Sequence, residues 1–465
     1  METPIADFVR RYADSGMIRA HMPGHKGKSF LGCETLDITE IQGADSLYEA
    51  EGIIRRSESY AGELFGSGRT VYSTEGSSQC IRAMLYLALT CGNGSRTVVA
   101  ARNVHRAFVY AAALLDFEIV WLWPERSTSL CGCPVSPDTL ERTLATLPAP
   151  PAAVYLTSPD YLGFVQDIAG LSAVCHAHGL PLLVDNAHGA YLHFLKEGSR
   201  HPIQLGADLC CDSAHKTLPV LTGGAYLHLG PSVQADEAAV RNALALFGST
   251  SPSYLILQSL DACNRQLTES YPAGLQRCCS RLSALRGELN AAAQAAGCPV
   301  PLTLDGPGRE PLKLTLDAAA LGMTGTALAD ALRGGQLECE YADPRYVVLM
   351  FTPCNPPQDY ARLRIVLRQC LHSLPAAGGL LQPEELAGEF MALAQQARAH
   401  CTIRQAVFAP QERIPVQQAL GRICAMPTVS CPPAIPIAVS GEEITPAALE
   451  LMQRYGVTEV SVLRR

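Results

Sequence analysis

The chain has 465 residues, of which 48% are hydrophobic and 17% charged, and its net charge is −8. This length predicts two or three domains around a large core, and the composition excludes a disordered chain. The negative charge argues against a nucleic-acid partner, and no apolar run is long enough to span a membrane, so we expect a cytoplasmic protein.

The first segment, to about residue 47, contains the sequence HMPGHKG at 21–27. Its glycines supply turn freedom, while its two histidines and one lysine concentrate hydrogen-bond donors. The same composition is also typical of an ordinary polar loop. Apolar residues then recur at helical spacing from 52 to 65, which predicts a helix.

Residues 71–89 predict a short strand, a turn at Gly76-Ser77-Ser78 and a long helix with an apolar face. Backbone amides at a helix start, together with two hydroxyl groups, suit the binding of a phosphate. Ordinary capping of the helix by serine is the alternative.

Strands are predicted at 97–101, 117–122, 153–156, 182–185 and 207–211, with loops and helices between them. This order indicates a mainly parallel α/β sheet. His105 lies just beyond the first of these strands, where a flat imidazole could stack on a cofactor ring. A solvent-exposed loop histidine is the alternative reading.

The strand at 182–185 ends in Asp185, and His188 follows three residues later. Ligands of α/β sheets bind beyond the carboxyl ends of the parallel strands, so a carboxylate there faces the site. A helix cap is the alternative for Asp185, and a packing histidine is the alternative for His188.

Lys216 follows the buried strand at 207–211 and is flanked by Ser213, His215 and Thr217. A lysine amine in such surroundings could form a Schiff base with an aldehyde cofactor. With Asp185 some thirty positions earlier, it makes the pair that a pyridoxal phosphate (PLP) enzyme needs, because the aspartate keeps the pyridinium nitrogen protonated. Taken alone, Lys216 favours the alternative of a surface lysine with its head in water, and the rest of the chain reverses that.

The remainder predicts a small α/β domain, with strands at 312–315 and 346–351 and a helix at 326–332. A linker at 375–379 leads to a helix at 384–397, an irregular proline-rich tail from about 405, and a last helix at 446–455. We therefore divide the chain into an N-terminal arm (1–47), a large cofactor-binding domain (48–300), a small domain (301–375) and a C-terminal domain (376–465).

Eighteen cysteines are scattered along the chain without a C-x-x-C pair or zinc-type spacing, so we expect no metal site. Several, including Cys210, Cys211 and Cys370, fall in apolar patterns, which favours buried and reduced thiols.

Taken together, several stretches resemble the Orn/Lys/Arg decarboxylase family of fold type I PLP enzymes, in the short form without an N-terminal wing domain. The matching stretches are HMPGHKG (21–27), DITEIQGADSLYEAEG (37–52), RNVHR (102–106), TSPDYLG (157–163), VDNAHGA (184–190), SAHKTLPVLT (213–222), STSPSYLILQSLD (249–261) and CPPAIPIAVSGEEIT (431–445).

The resemblance implies an aspartate aminotransferase-like fold that decarboxylates arginine, lysine or ornithine with PLP, within polyamine metabolism. It implies that Lys216 is the Schiff-base lysine, that Asp185 is the pyridinium partner, and that His215 is an acid/base group beside the lysine. His105 is the implied ring-stacking residue and His188 lies close to the cofactor. The residues implied to surround the phosphate are Gly76, Ser77, Ser78 and Ser213.

The family also implies a homodimer or a higher homo-oligomer with shared active sites, in which Thr250 of the segment 249–252 reaches the neighbouring site. The chain departs from the family where Glu75 replaces a usual Asn, Gly223 replaces a frequent Gln, and Cys431 and Ala434 replace Tyr and Gly. These changes leave the cofactor residues in place, but they leave the identity of the substrate undetermined.

Three carboxylates are candidates for pairing with the distal cation of a basic substrate: Glu40, Asp45 and Glu340. Glu40 and Asp45 are equally typical of solvated loops. Two other functions also remain open, namely a different fold type I reaction, such as transamination or a lyase reaction, and a non-catalytic paralogue that acts by binding a partner.

Overall fold

The computed structural model describes residues 1–124, 127, 129–372, 383–427 and 436–465. They form two compact units. The first comprises Met1–Val99, Pro137–Ser158 and Asp167–Ala273, and the second comprises Ala100–Ser136, Pro159–Gln166 and Gly274–Arg465. The chain therefore passes repeatedly from one unit to the other, and the fourfold division made from the sequence stays a prediction. The proposed linker at 375–379 lies outside the described residues, as do Cys431 and Ala434.

The strands predicted between residues 71 and 211 and between 312 and 351 are present, whereas the strands Ala225–Leu229, Gln411–Pro415 and Glu459–Leu463 and the helices between 237 and 295 were not predicted from the sequence. The helices are α1 (Pro4–Asp14), α2 (Ile53–Phe65), α3 (Ser77–Thr90), α4 (Arg106–Leu115), α5 (Pro137–Thr146), α6 (Ile168–Ala177), α7 (Ala214–Thr217), α8 (Glu237–Ala245), α9 (Tyr254–Thr268), α10 (Tyr271–Ala295), α11 (Gly325–Gly334), α12 (Pro357–His372), α13 (Pro383–Gln396), α14 (Ile403–Phe408) and α15 (Pro446–Arg454). The strands are β1 (Arg69–Ser73), β2 (Thr97–Ala101), β3 (Glu118–Leu122), β4 (Ala153–Thr157), β5 (Leu182–Asp185), β6 (Leu209–Asp212), β7 (Ala225–Leu229), β8 (Lys313–Asp317), β9 (Tyr341–Ala342), β10 (Tyr346–Met350), β11 (Gln411–Pro415) and β12 (Glu459–Leu463). Within the described ranges, we find no helix that combines the length and the apolar character needed to cross a bilayer.

The main sheet has the strand order β1-β7-β6-β5-β4-β2-β3. Strands β4, β5 and β6 run parallel, whereas β7 is antiparallel to both of its neighbours. All residues of β4, β5 and β6 are buried, which is why these segments read as continuous apolar runs rather than as alternating ones. The predicted mainly parallel α/β architecture is confirmed.

The register of the central strands sets the place of the candidate site. Asp185, the last residue of β5, pairs with Cys211 of β6 and with Thr157 of β4. The carboxyl ends of these strands therefore lie level with one another. The residues that follow β5 and β6 leave the sheet at the same edge.

An aromatic and imidazole cluster packs on the sheet beneath α2. Its centre is Phe65, whose ring centroid lies 4.6–5.6 Å from the rings of His193, Phe194, His201, Tyr226 and His228. Burial, together with the neighbouring imidazoles of His201 and His228, lowers the pKa of His193 to about 4. Burial lowers the pKa of His228 as well.

In the second unit, β8, β10 and β9 form a small antiparallel sheet, and α11 packs on β10. The predicted strands and helix of this region are confirmed, with β9 in addition. The prediction of an irregular tail from about 405 was wrong over 405–415, where α14 ends and β11 follows. Strand β11 pairs with β12 more than forty residues later, and such a long-range pairing leaves no local sequence signal.

The second unit also contains a fully buried arginine, Arg102, which belongs to the RNVHR stretch. Its Nη1 and Nη2 atoms donate to Glu442 at 2.8 and 2.7 Å, and its guanidinium lies between Trp121 and Trp123 at 4.6 and 4.5 Å. Glu442 belongs to the stretch at 431–445. The two stretches of the family signature are therefore joined by one enclosed ion pair.

The described cysteines are all free, and Cys210 and Cys211 are buried as predicted, whereas Cys370 is half-buried. Burial raises the pKa of both buried thiols well above the usual value, so they are protonated and inert at neutral pH.

We expect His193 to contribute a fall in the free energy of unfolding as the pH falls from 6.5 to about 4. In this window the unfolded chain binds a proton at His193 that the folded chain does not bind, so stability rises with pH. After allowance for solvent screening, the loss is roughly 1–2 kcal/mol. Chemical denaturation across this range measures it, and His193→Gln should flatten the dependence while His178→Gln, at a surface pair with Glu141, should not. A slope unchanged in His193→Gln would contradict this account.

Candidate active site

Lys216 lies in the short helix α7, four residues after β6 ends at Asp212. Its Nζ atom is 3.1 Å from Nε2 of His188, a buried residue in the loop after β5. The side chain of Lys216 is half-buried. The structure thus brings together the lysine and the histidine that the sequence placed on separate loops.

Asp185 is buried at the carboxyl end of β5. Its Oδ1 accepts a hydrogen bond from the backbone N of Ala187 at 3.1 Å, and the hydroxyl of Tyr155 donates to Oδ2 at 3.3 Å. Burial, and then the charge of Asp185, raise the pKa of Tyr155 well above its usual value, so this tyrosine stays a donor. The next helical turn begins only at Ala190, so Asp185 does not act as a helix cap.

His215 is fixed beside the Gly-Ser-Ser turn. Its Nδ1 donates to the carbonyl of Gly224 at 3.0 Å, because a carbonyl oxygen can only accept. In the neutral ring, Nε2 is therefore the basic nitrogen. A Cβ atom placed on Gly76 would lie 3.9 Å from Cε1 of His215, which shows how closely the imidazole approaches this turn.

The start of α3 is the position where the sequence predicts an anion site, and its binding role stays a prediction. Gly76 caps the helix with φ of +70°, a left-handed conformation that favours glycine, and among the described residues no side chain caps it. The first amides of α3 are therefore available to an anion. Ser213 Oγ donates to Ser77 Oγ at 2.8 Å, which joins the loop of Lys216 to this helix start. Ser78 occupies the second position of α3.

Two departures from the family pattern have structural explanations. The side chain of Glu75 is exposed, so its carboxylate does not occupy the anion site. Gly223 has φ of +99°, and a Cβ there would lie 2.8 Å from the carbonyl oxygen of Thr74. Its own carbonyl accepts from the backbone N of Gly76 at 2.8 Å. A larger residue at 223 would push the Gly76 turn away from the Lys216 loop.

For two further predicted site residues, the structure shows a local position only. His105 belongs to the second unit, where it caps α4 and its Nδ1 accepts from the backbone N of Ala107 at 3.0 Å. Its stacking role stays a prediction. Thr250 is exposed on a bend of the first unit, and its role in a neighbouring site also stays a prediction.

The three candidate substrate carboxylates differ sharply. Asp45 accepts backbone hydrogen bonds from Glu51, Gly52 and Ile54 at 2.7–3.1 Å and thereby caps the approach to α2, so the structure assigns it a local structural role. Glu40 is exposed. In the second unit, Glu340 accepts from the hydroxyl of Tyr161 and lines a cavity of about 710 Å³ together with Tyr341.

The sequence reading missed Asp212, the buried last residue of β6. Its carboxylate accepts hydrogen bonds from His201, His228 and Asn186. The rule that singled out Asp185, a carboxylate at the end of a parallel strand, would also have found Asp212.

In chemical terms, the site combines a lysine amine, a buried carboxylate, basic imidazoles and an anion site at a helix start. These groups fit PLP, which carries an aldehyde, a pyridine nitrogen and a phosphate. Lys216 would hold the aldehyde, Asp185 would hold the proton on the ring nitrogen, and the turn from Gly76 to Ser78 would bind the phosphate with Ser77 and Ser213.

Comparison with known proteins gives a consistent result. Residues 3–298 match the sequence profile of "Orn/Lys/Arg decarboxylase, major domain", and residues 385–457 match that of "Orn/Lys/Arg decarboxylase, C-terminal domain". Arginine decarboxylase from Bacillus subtilis (strain 168) is 29% identical over 464 residues, which cover 96% of this chain and 91% of that protein.

Solved structures show the same fold at lower identity. The constitutive lysine decarboxylase of E. coli superposes with a TM-score of 0.75 at 18% identity, over 100% of this chain and 82% of that one. A structure of SPT with PLP gives a TM-score of 0.52 at 17% identity, over 68% of this chain and 76% of that one.

The fold is thus that of the fold type I PLP enzymes. Because the major-domain profile alone matches residues 3–298, well over half of the sequence, the chain belongs to the Orn/Lys/Arg decarboxylase family, a family of PLP-dependent amino acid decarboxylases. The resemblance seen in the sequence motifs is confirmed.

We expect Lys216→Ala to abolish the covalent attachment of PLP and to lower activity by a factor on the order of 10³ or more, because the amine that contacts His188 is removed. Borohydride reduction followed by peptide mass mapping measures the attachment. The exposed lysine Lys196 is the matched control, and Lys196→Ala should retain both properties. A reducible cofactor adduct in the Lys216→Ala protein would overturn the assignment.

Proposed function

We propose that this protein decarboxylates a basic amino acid (arginine, lysine or ornithine) with PLP, giving the corresponding amine and CO₂ in polyamine metabolism in the cytoplasm. The observation that carries the proposal is the placement of Asp185 and Lys216 after adjacent parallel strands, beside the anion site of α3. Relatives named arginine decarboxylase support the class of substrate.

Bound PLP supplies an electron sink for the electrons of the bond between Cα and the carboxylate. Asp185 keeps the ring nitrogen protonated, and its own position is held by Tyr155 and by the amide of Ala187. Lys216 would hold the aldehyde through its amine. His188 is hydrogen-bonded to the Lys216 amine and can exchange a proton with it.

His215 is the further acid/base candidate of the proposed reaction. With Nδ1 committed to the carbonyl of Gly224, its Nε2 is the nitrogen that can carry a proton to or from Cα. Enclosure of the buried strand ends limits the access of water to Asp185.

Glu340 is the best supported partner for the distal cation of the substrate. Asp45 is committed to backbone amides, and Glu40 and Glu340 are both exposed, but Glu340 also lines a cavity together with the aromatic rings of Tyr161 and Tyr341. Aromatic faces and a carboxylate together favour a cation. The neighbouring Glu338 is instead paired with Arg333 at 3.0 Å.

The test compares CO₂ release from arginine, lysine, ornithine and the neutral analogue norleucine. Glu340 is exposed, and pairing at an exposed carboxylate contributes roughly 0.2–1 kcal/mol, so we expect about twofold to fivefold lower kcat/KM for norleucine. Glu340→Gln should remove this discrimination, and Glu338→Gln should preserve it. Equal values in the unsubstituted protein would exclude a distal cation site, and a keto acid product without CO₂ would indicate transamination.

We further propose that the protein is a homodimer, with residues 21–27 and 249–252 near the interface. The arm exposes an unusual set of large apolar side chains, including Ile18 at 92%, Leu31 at 89% and Phe30 at 79% exposure. A patch of this kind favours association with a second copy of the chain. The same arrangement would allow Thr250 to reach a neighbouring site.

We expect Ile18→Asp combined with Leu31→Asp to shift the protein from dimer to monomer and to reduce activity, because two charges would enter an apolar interface. Sedimentation velocity at micromolar protein concentration measures the oligomeric state. Leu114→Asp, at an exposed apolar position outside the arm, is the control. A fully active monomer of the unsubstituted protein would contradict the proposal.

A further inference from the structure

The fully buried carboxylate of Asp212 receives hydrogen bonds from three nitrogen donors, and the thiol of Cys210 makes a longer contact with its Oδ1 at 3.8 Å. His201 Nε2 and His228 Nε2 lie 3.0 and 3.2 Å from its Oδ2, and Asn186 Nδ2 donates to its Oδ1 at 2.6 Å. All four side chains are buried. Burial by itself would raise the pKa of Asp212, but the imidazoles of His201 and His228 outweigh it, and the pKa lies well below its usual range. The residue is therefore a charged acceptor at neutral pH.

The cluster is a hydrogen-bond network rather than a metal site. One nitrogen or oxygen atom each of His201 and Asp212 and the sulfur of Cys210 lie within 4.8 Å of one another, a spacing that a metal could use. However, His201 Nδ1 accepts from the backbone N of Ile203, so in the neutral ring its Nε2 carries the proton and donates to Asp212. A metal-binding histidine has the opposite arrangement, with its second nitrogen donating.

Asp212 cannot touch the cofactor itself. Asp185 pairs with Cys211 across the two strands, and neighbouring side chains of a strand point to opposite faces, so Asp212 lies on the face opposite to Asp185. Its effect must pass through the residues beside it. These are Asn186, which directly follows Asp185, and Ser213, which follows Asp212 and donates to Ser77.

The network joins the ends of β5 and β6 by side chains as well as by backbone. The backbone N of Asn186 donates to the carbonyl of Cys211 at 2.9 Å, and the side chain of Asn186 then donates to Asp212. The imidazoles of His201 and His228 are hydrogen-bonded to Oδ2, the other carboxylate oxygen of Asp212. The carboxylate is thus fixed in position by three independent donors.

We propose that Asp212 is a positioning residue that holds Asp185 and the Ser213–Lys216 loop at the separation that bound PLP requires. This inference rests on the proposed function, because it assumes that PLP is bound between these two groups. An ionised carboxylate suits the position because it accepts at both oxygens. The side-chain amide of an Asn at position 212 would have a single acceptor oxygen. Its NH₂ group would then face one of the buried donors that now bond to the carboxylate.

The matched control is Asp208, which precedes β6 at the opposite end of the same strand pair. Its Oδ2 accepts from the backbone N of Leu182 at 2.8 Å and from His176 Nε2 at 2.9 Å. Asp208 therefore also joins β5, β6 and a histidine, but it does so far from Asp185. A general effect on the stability of the strand pair should appear in both variants, whereas an effect on PLP should appear only at Asp212.

The experiment measures the dissociation constant of PLP by equilibrium dialysis, and the visible absorbance band of the lysine-bound cofactor, for the unsubstituted protein, Asp212→Asn, Asn186→Ala and Asp208→Asn. We expect the dissociation constant to rise about tenfold or more in Asp212→Asn and in Asn186→Ala, with a shifted band. Asp208→Asn should stay within about twofold. Asn186→Ala keeps the imidazole contacts of Asp212 and gives the answer if Asp212→Asn does not fold.

Unchanged affinity and spectrum in the folded Asp212→Asn protein, or in Asn186→Ala if only that variant folds, would overturn this inference and leave the proposed function intact. An equal rise in Asp208→Asn would also overturn it, because the effect would then be one of general stability. Failure of the unsubstituted protein to bind PLP would overturn the proposed function itself, and with it the inference.

Discussion

The parallel pairing of β5 with β6 is the constraint on which the candidate site depends. Every residue of both strands is buried, so their backbone groups must stay paired within the sheet, and the strand ends cannot shift without breaking these hydrogen bonds. Asp185 leaves one strand and the loop of Lys216 leaves the other. The reactive groups are therefore carried by loops whose first residues have almost no freedom to move.

Buried charges give the fold its geometry more than its net stability. Asp212 in the first unit is enclosed with three donors, and Arg102 in the second unit is enclosed with Glu442. Removing a charge from water costs several kcal/mol, and its partners largely offset that cost without exceeding it. Such groups do, however, disfavour any arrangement that leaves them unpaired, and this constrains where neighbouring strands and loops lie.

The chain retains the family architecture although its B. subtilis relative shares only 29% of its residues. At some positions of this chain, the backbone conformation or a buried polar partner leaves little choice of residue. Gly76 requires a left-handed φ, and Arg102 requires Glu442. Gly223 shows how a departure is accommodated, since the nearby carbonyl of Thr74 leaves no space for a side chain.

The sequence by itself determined the order of strands and helices, the parallel character of the sheet and the candidate roles of Lys216 and Asp185. Apolar runs and strand-end polar residues depend on local periodicity, which a single chain displays directly. The tertiary structure alone decided the pairing of β11 with β12 and the convergence of His201, His228 and Asn186 on Asp212. Those partners lie 11, 16 and 26 residues from Asp212, on different elements. Which of them meet depends on strand register and buried hydrogen bonding, and no local pattern encodes that.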